Sequence, residues 1–206
     1  MLTIQAMDSR QITDIYNEHM VQDFPDDELK PLWAIERLCE RGLYHAYGLF
    51  DGNELHGYAL FATAGRSRKH QNSLLLDYFA VIAGGRSRGY GSKFLKLLRP
   101  RLIEDFPNCQ GMIAEVESVR AAVDPDEKHI RERRIAFYRR NGFRRTRIRS
   151  NLFGVAFTIM FQPFGQETAV QTDDAFVLTE MEKIYAAMLP AQVVSQQVKL
   201  WLKPAI

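Results

Sequence analysis

Seven consecutive residues, Arg86, Ser87, Arg88, Gly89, Tyr90, Gly91 and Ser92, combine cations, glycines and hydroxyls in a way suited to holding an anion. An almost unbroken apolar run precedes them, Leu74 to Val81, interrupted by Asp77 alone. Its length, and its Tyr78, Phe79 and Val81, predict a strand buried on both faces. Phe94, Leu95, Leu97, Leu98 and Leu102 then recur at helical spacing, so the turn opens onto a helix. The first N–H groups of a helix have no partner within it, and the aligned peptide dipoles add roughly half a positive charge at that end. Gly89 and Gly91 let an anion approach the main chain without meeting a Cβ. The turn reads as a pyrophosphate cradle. A second chemistry lies downstream. Period two places Glu115 and Glu117 on one face of a strand, where neighbouring carboxylates raise each other's pKa and one of them can act as a base.

Three known signatures compete for the turn. A P-loop fits Gly84 and Gly89 but needs a lysine where Tyr90 stands. The dinucleotide fingerprint begins at Gly89-Tyr90-Gly91 and fails at Phe94. Gly85-Arg86-Ser87-Arg88-Gly89 is a formal G-x-S-x-G elbow, with Asp105 and His129 following in the order a serine hydrolase requires. Arginines on both sides of Ser87 fit a tight elbow badly.

A fourth pattern accounts for more residues. Arg86-x-x-Gly89-x-Gly91 resembles the R/Q-x-x-G-x-G/A acyl-CoA signature of the GCN5-related N-acetyltransferase (GNAT) superfamily, and LDYFAV before it resembles that family's fourth strand. Residues 112–117 are similar to its fifth strand, and Ala136 to Phe143 to its helix ending in Tyr-x-x-x-Gly-Phe. The resemblance covers residues 1–163.

It implies that acetyl-CoA is held by Arg86 to Ser92 and by main-chain groups of Phe79, Ala80 and Val81, with an N–H near Val81 facing the oxyanion. It implies that the fourth and fifth strands splay, and that Tyr138 is the general acid protonating the thiolate. Glu115, followed by Val116, resembles the Glu-Val base of amino-terminal protein acetyltransferases, and Glu117 is the second candidate. The glutamate of histone-type members is replaced here by Leu75. Gly84-Gly85 departs from the family's usual segment before the arginine, and Arg131 stands where many members carry a cofactor-contacting Asn.

The chain is 206 residues with a net charge of +2, which gives no global argument for nucleic-acid or membrane binding. Cys39 and Cys109 have no metal-ligand spacing and no two histidines stand at i,i+4, so no metal site is expected. No signal peptide and no span-length apolar run is visible, and a cytoplasmic location is expected.

Leu2 to Ala6 alternates as a first strand, and Asp8 or Ser9 caps a helix carrying Ile12, Ile15 and Met20. Pro31 starts a second helix that Gly42 ends. Tyr44 to Phe50 and Leu55 to Thr63 flank a hairpin turn. Pro100 is expected to kink the central helix or end it near Arg99. Two closing strands, 145–152 and 155–161, complete the order βααβββαβαββ. The fold expected is α/β (α+β), the GNAT fold: a mixed sheet of about seven strands flanked by helices. The acyltransferase domain spans 1–164, and 165–206 is a helical C-terminal extension that packs back on the domain or mediates a homodimer.

The expected activity is direct transfer of an acetyl group from acetyl-CoA to a primary amine of a small molecule or peptide. The acidic Asp26, Asp27 and Glu28 lie in a loop expected to face the acceptor. Two rivals remain. One is a non-catalytic module of the same fold that senses acyl-CoA or binds RNA through the arginines between 131 and 149. The other is the hydrolase using Ser87.

Overall fold

The computed structural model describes residues 1–26, 28–82, 89–165 and 172–204. The first element is strand β1 (Leu2–Met7), and helix α1 (Ser9–Ile15) continues through a π-helical segment, Tyr16–Met20, to Asp23. Helix α2 (Leu32–Glu40), strands β2 (Tyr44–Asp51), β3 (Glu54–Ala62) and β4 (Leu74–Val81), and helix α3 (Tyr90–Asp105) follow. Then come β5 (Gly111–Glu117), α4 (Pro125–Arg140), β6 (Arg144–Leu152) and β7 (Val155–Pro163). The chain ends in α5 (Asp174–Met188), α6 (Ala191–Gln197) and β8 (Val198–Leu202).

Local chemistry sets the helix starts. Asp8 accepts from the Gln11 N–H at 2.9 Å while the Gln11 side chain accepts from the Asp8 N–H at 3.0 Å, a capping box. Asp124 caps α4 with Pro125 at its first position, and Asp173 caps α5.

The strands form one sheet in the order β1-β2-β3-β4-β5-β7-β6-β8. β4 and β5 run parallel, and the other pairings are antiparallel. Alternation divides the apolar residues between two cores. Ile35, Leu38, Tyr44, Leu75, Ile113, Met181 and Ile184 pack on the face covered by α1, α2 and α5. Tyr47, Leu74, Phe94, Leu98, Leu102 and Met112 pack on the face covered by α3 and α4. No helix among the described residues is long and apolar enough to cross a membrane.

Two expectations change. The sheet has eight strands, because Val198, Leu200 and Leu202 turn inward by period two and pair with β6, from Leu152↔Val198 to Ile148↔Leu202. The helix α3 also runs unbroken through Pro100. Buried Leu95 and Leu98 before the proline and Leu102 and Phe106 after it belong to one core, and their packing holds the helix across the missing hydrogen bond. Pro100 itself is exposed. Pro100→Ala should therefore raise stability by about 1–2 kcal/mol, once the gain in unfolded-chain entropy is set against the restored hydrogen bond. Urea unfolding measures this, and a lowered midpoint would contradict it.

Candidate active site

The site begins with a register change. Leu60 faces Tyr78 and Phe61 faces Leu76, so Asp77 is an extra residue in β4, a β-bulge. Parallel pairing with β5 runs from Leu74↔Met112 to Leu76↔Ala114 and ends there. Both strands continue, β4 along β3 to Val81 and β5 along β7 to Glu117. They part as a wedge, and the splay implied by the family resemblance is present. A cavity of about 1570 Å³ fills the wedge and the space beside it. Phe79, Ala80 and Val81 line it from β4, Glu115 and Glu117 from β5, and Tyr138 from α4. The Ile82 N–H donates to the His56 carbonyl at 3.0 Å. Two-residue alternation then turns the main-chain N–H and C=O of Phe79 away from β3, toward the opened side.

The bulged carboxylate is buried and fully engaged. Lys30 Nζ donates to Asp77 at 2.7 and 3.0 Å, and the Tyr44 hydroxyl donates to it as well. The Lys30 N–H donates to the Tyr78 hydroxyl at 2.8 Å, which in turn donates to the Glu28 carbonyl at 3.0 Å. Burial works against the Lys30 ammonium, but Asp77, Tyr78 and Glu115 together outweigh it and hold the group above its ordinary value.

Glu115 accepts from the Tyr185 hydroxyl at 2.6 Å through Oε2, while its Oε1 is buried without a hydrogen-bond partner among the described residues. Burial pushes this carboxyl up to about 7; the Tyr185 hydrogen bond opposes that, Asp77 adds to it, and Lys30 opposes it. Glu117 is bound otherwise. It accepts from Arg131 at 2.8 Å and Arg134 at 2.6 Å, and Arg131 also holds the Ser118 carbonyl at 2.9 Å and pairs with Glu127. Glu117 is not among the groups that raise Glu115. Glu117, at the end of β5, is taken by arginines of α4, and the carboxylate acting on Glu115 is Asp77 across the wedge.

Tyr138 packs edge-on against Phe143 and Phe137, with ring centroids at 5.0 and 5.3 Å. Its hydroxyl makes no hydrogen bond among the described residues, and burial pushes it up to about 12. It is a neutral donor near pH 7.

At the far end of the wedge, Gly89 caps α3 in the left-handed region at φ +77, with Tyr90, Gly91 and Ser92 forming an acid-free first turn. A Cβ on Gly91 would press against Phe137 at 3.1 Å. A smaller cavity of about 390 Å³ runs beside that turn, lined by Ser92, Lys93, Lys96, Arg99 and Arg140 among others. The free N–H groups and these cations suit a phosphorylated ligand. Arg86, Ser87 and Arg88 lie outside the described residues. Sequence reasoning missed Lys30, Tyr44 and Tyr185. Asp77, the lone acid in an apolar run, was the one local signal.

Neither a family model nor a curated protein matches the sequence. Solved structures match it in fold. A Bacteroides thetaiotaomicron protein assigned to the GNAT acetyltransferase family has a TM-score of 0.58 at 21% identity, covering 77% of this chain and 85% of its own. The chain has the GNAT acetyltransferase fold. The ribosomal-protein-S18-alanine N-acetyltransferase from Escherichia coli gives 0.56 at 18% identity, covering 81% of this chain and 96% of its own. Aminoglycoside acetyltransferase AAC(6')-Ib, in complex with coenzyme A and kanamycin, gives 0.55 at 17%, covering 84% and 99%. In this GNAT sheet β4 and β5 form the one parallel pair among the described strands, whereas a G-x-S-x-G elbow sits at the top of an α/β-hydrolase sheet. Asp105 is occupied by the Tyr47 hydroxyl at 2.7 Å and Arg101 at 3.0 Å.

The raised pKa of Glu115 has a consequence for stability. The folded state binds the proton more tightly than the unfolded chain does. That contribution is complete below the ordinary value near 4.5 and is lost as pH rises through about 7. Glu115→Gln mimics the neutral acid and should escape this loss. Urea midpoints across pH 4.5–8 should separate increasingly in favour of Glu115→Gln. A separation independent of pH would contradict the assignment.

Proposed function

We propose that the protein transfers an acetyl group from acetyl-CoA directly to a primary amine of a small molecule or peptide. The observation that carries this reading is the placement of an acid–base pair in one cavity. Glu115, with its buried, unpartnered oxygen, and Tyr138, with its unpartnered hydroxyl, both line the space opened by the β4–β5 split.

Acetyl-CoA as substrate would supply the activated thioester. The main chain of Phe79, turned toward the opened side, is suited to pair with its pantetheine arm and to face the developing oxyanion. Gly89 to Ser92, at the N-terminus of α3, are suited to its pyrophosphate, with Arg86 and Arg88 just before them in the sequence as further cations. Glu115, poised near neutrality, takes a proton from the acceptor amine. As the C–N bond forms and the C–S bond breaks, Tyr138 gives its proton to the sulfur. The amine loses one proton and the thiol gains one. Neither cysteine lines the cavity among the described residues, and both thiols are pushed up, Cys39 to about 11 and Cys109 to about 12. Direct transfer needs neither. Glu117 on this reading orders the β5 end through Arg131 and Arg134.

The RNA-binding alternative loses much of its charge. Arg131, Arg134, Arg144 and Arg147 are paired with Glu117, Glu127 and Asp174, whereas phosphate binding needs unopposed cations. The acyl-CoA sensor differs from an enzyme in turnover. A panel of amines with acetyl-CoA, followed by free-thiol release, tests for it. On any amine that is turned over, Tyr138→Phe should lower kcat by roughly 10²–10⁴. Acetyl-CoA affinity should be unchanged, because the ring and its packing remain. Full turnover by Tyr138→Phe would remove the general-acid assignment.

A further inference from the structure

Helix α5 lies outside the strands that make the wedge, yet it reaches into the site. Its inner stripe, Val177, Met181, Ile184, Tyr185 and Met188, is buried in the core it shares with α1 and α2, and the helix packs against β6 and β8. Two ties fix it in place. The chain after it returns as β8 against β6, and Arg41 Nη2 of α2 donates to the Ala187 carbonyl at 2.8 Å. The corner from Ala186 to Pro190 forms part of the cavity wall together with Trp33 and Arg37 of α2. From this anchored helix the Tyr185 hydroxyl donates to Glu115 Oε2 at 2.6 Å.

We propose that Tyr185 is the positioning residue of the catalytic base, holding one oxygen of Glu115 so that the other is presented to the acceptor amine. The inference rests on the reading of Glu115 as the base. A carboxylate on a strand end can rotate about its side-chain torsions, and proton abstraction requires it within hydrogen-bond reach of the amine. Tyr185 is 5% exposed, and its helix is tied at its start by Asp174 to Arg144 and the Arg147 N–H and at its end by the Ala187 carbonyl to Arg41, so its hydroxyl is a fixed point. With Oε2 taken, Oε1 is left buried and without a protein partner. An N–H of the approaching amine supplies the missing donor.

The charged and titratable groups around Glu115 are few. Asp77 faces it from β4, Lys30 from the loop before α2, and Tyr185 from α5, while Glu117 on its own strand is bound to Arg131 and Arg134. Tyr185 donates to the ionised form and so favours it; its own phenol is pushed up by burial and by Glu115, and stays a donor.

The test uses the full chain labelled with ¹³C at the glutamate carboxyl and the tyrosine Cζ, and needs no acceptor. The Glu115 signal is the one lost in Glu115→Gln. Tyr185→Phe keeps the ring and its packing, and should raise the Glu115 midpoint by about one unit or more. In the wild-type protein the Tyr185 Cζ signal should titrate with the Glu115 midpoint and lose that inflection in Glu115→Gln, a readout that does not depend on how well Tyr185→Phe folds. A Glu115 midpoint unmoved in folded Tyr185→Phe, or a Tyr185 signal blind to Glu115, overturns the proposal while leaving Glu115 as base intact. Thiol release undiminished in Glu115→Gln overturns the base reading, and the role of Tyr185 falls with it even if the two groups are coupled.

Discussion

The insertion of one residue, Asp77, into β4 is the constraint on which the site depends. Without it, β4 and β5 would pair along their whole parallel length, and the main chain of Phe79 would be consumed in the sheet. The bulge bends β4 along β3 and away from β5, so pairing ends at Leu76↔Ala114. Asp77 also brings a carboxylate into the interior, which is costly unless it is paired and hydrogen-bonded. Lys30 and Tyr44 meet that need. The same lysine ties the loop before α2 to the wedge, so the device that opens the sheet also shapes one wall of the cavity.

The electrostatics follow from that placement. Asp77 and Glu115 stand on opposite sides of the wedge, with one cation, Lys30, bonded to Asp77. Asp77 is bound on both sides as a structural partner, while Glu115, more weakly compensated, is pushed toward neutrality. Glu117 is a few ångströms along the same strand, yet two arginines of α4 hold it in ion pairs. Equal carboxylates thus acquire separate roles from their surroundings.

The order of the elements was legible because alternation and helical spacing are strong in this chain. Leu74 to Val81 and the helix behind Gly91 stand where their periodicity places them, and the Tyr138 helix stands where the family resemblance puts it. The eighth strand was not read, although Val198-Lys199-Leu200-Trp201-Leu202 alternates, because a short alternating stretch after helical ones is ambiguous by pattern alone. Pro100 does not end the helix near Arg99, because the core on both sides of it outweighs the local propensity. The partners of the site were invisible for a different reason. Lys30, Tyr44 and Tyr185 are 47, 33 and 70 residues from the groups they bind, and no spacing rule reports contacts made by tertiary packing.

The central claim is that the split sheet and the N-terminus of α3 together receive an acyl-CoA. Calorimetric titration with acetyl-CoA tests it most directly, using the wild-type protein, Gly89→Asn and Gly89→Asp. Gly89 sits at φ +77, a region that Asn and Asp tolerate better than other side chains, and nothing among the described residues lies within 4 Å of its added Cβ. The two variants therefore share a backbone cost and differ in charge. Wild type should bind acetyl-CoA at one saturable site, Gly89→Asn more weakly, and Gly89→Asp at least tenfold more weakly than Gly89→Asn, about 1.4 kcal/mol for a carboxylate set against phosphate. No binding by the wild-type protein, or equal binding by the two variants, would contradict the account.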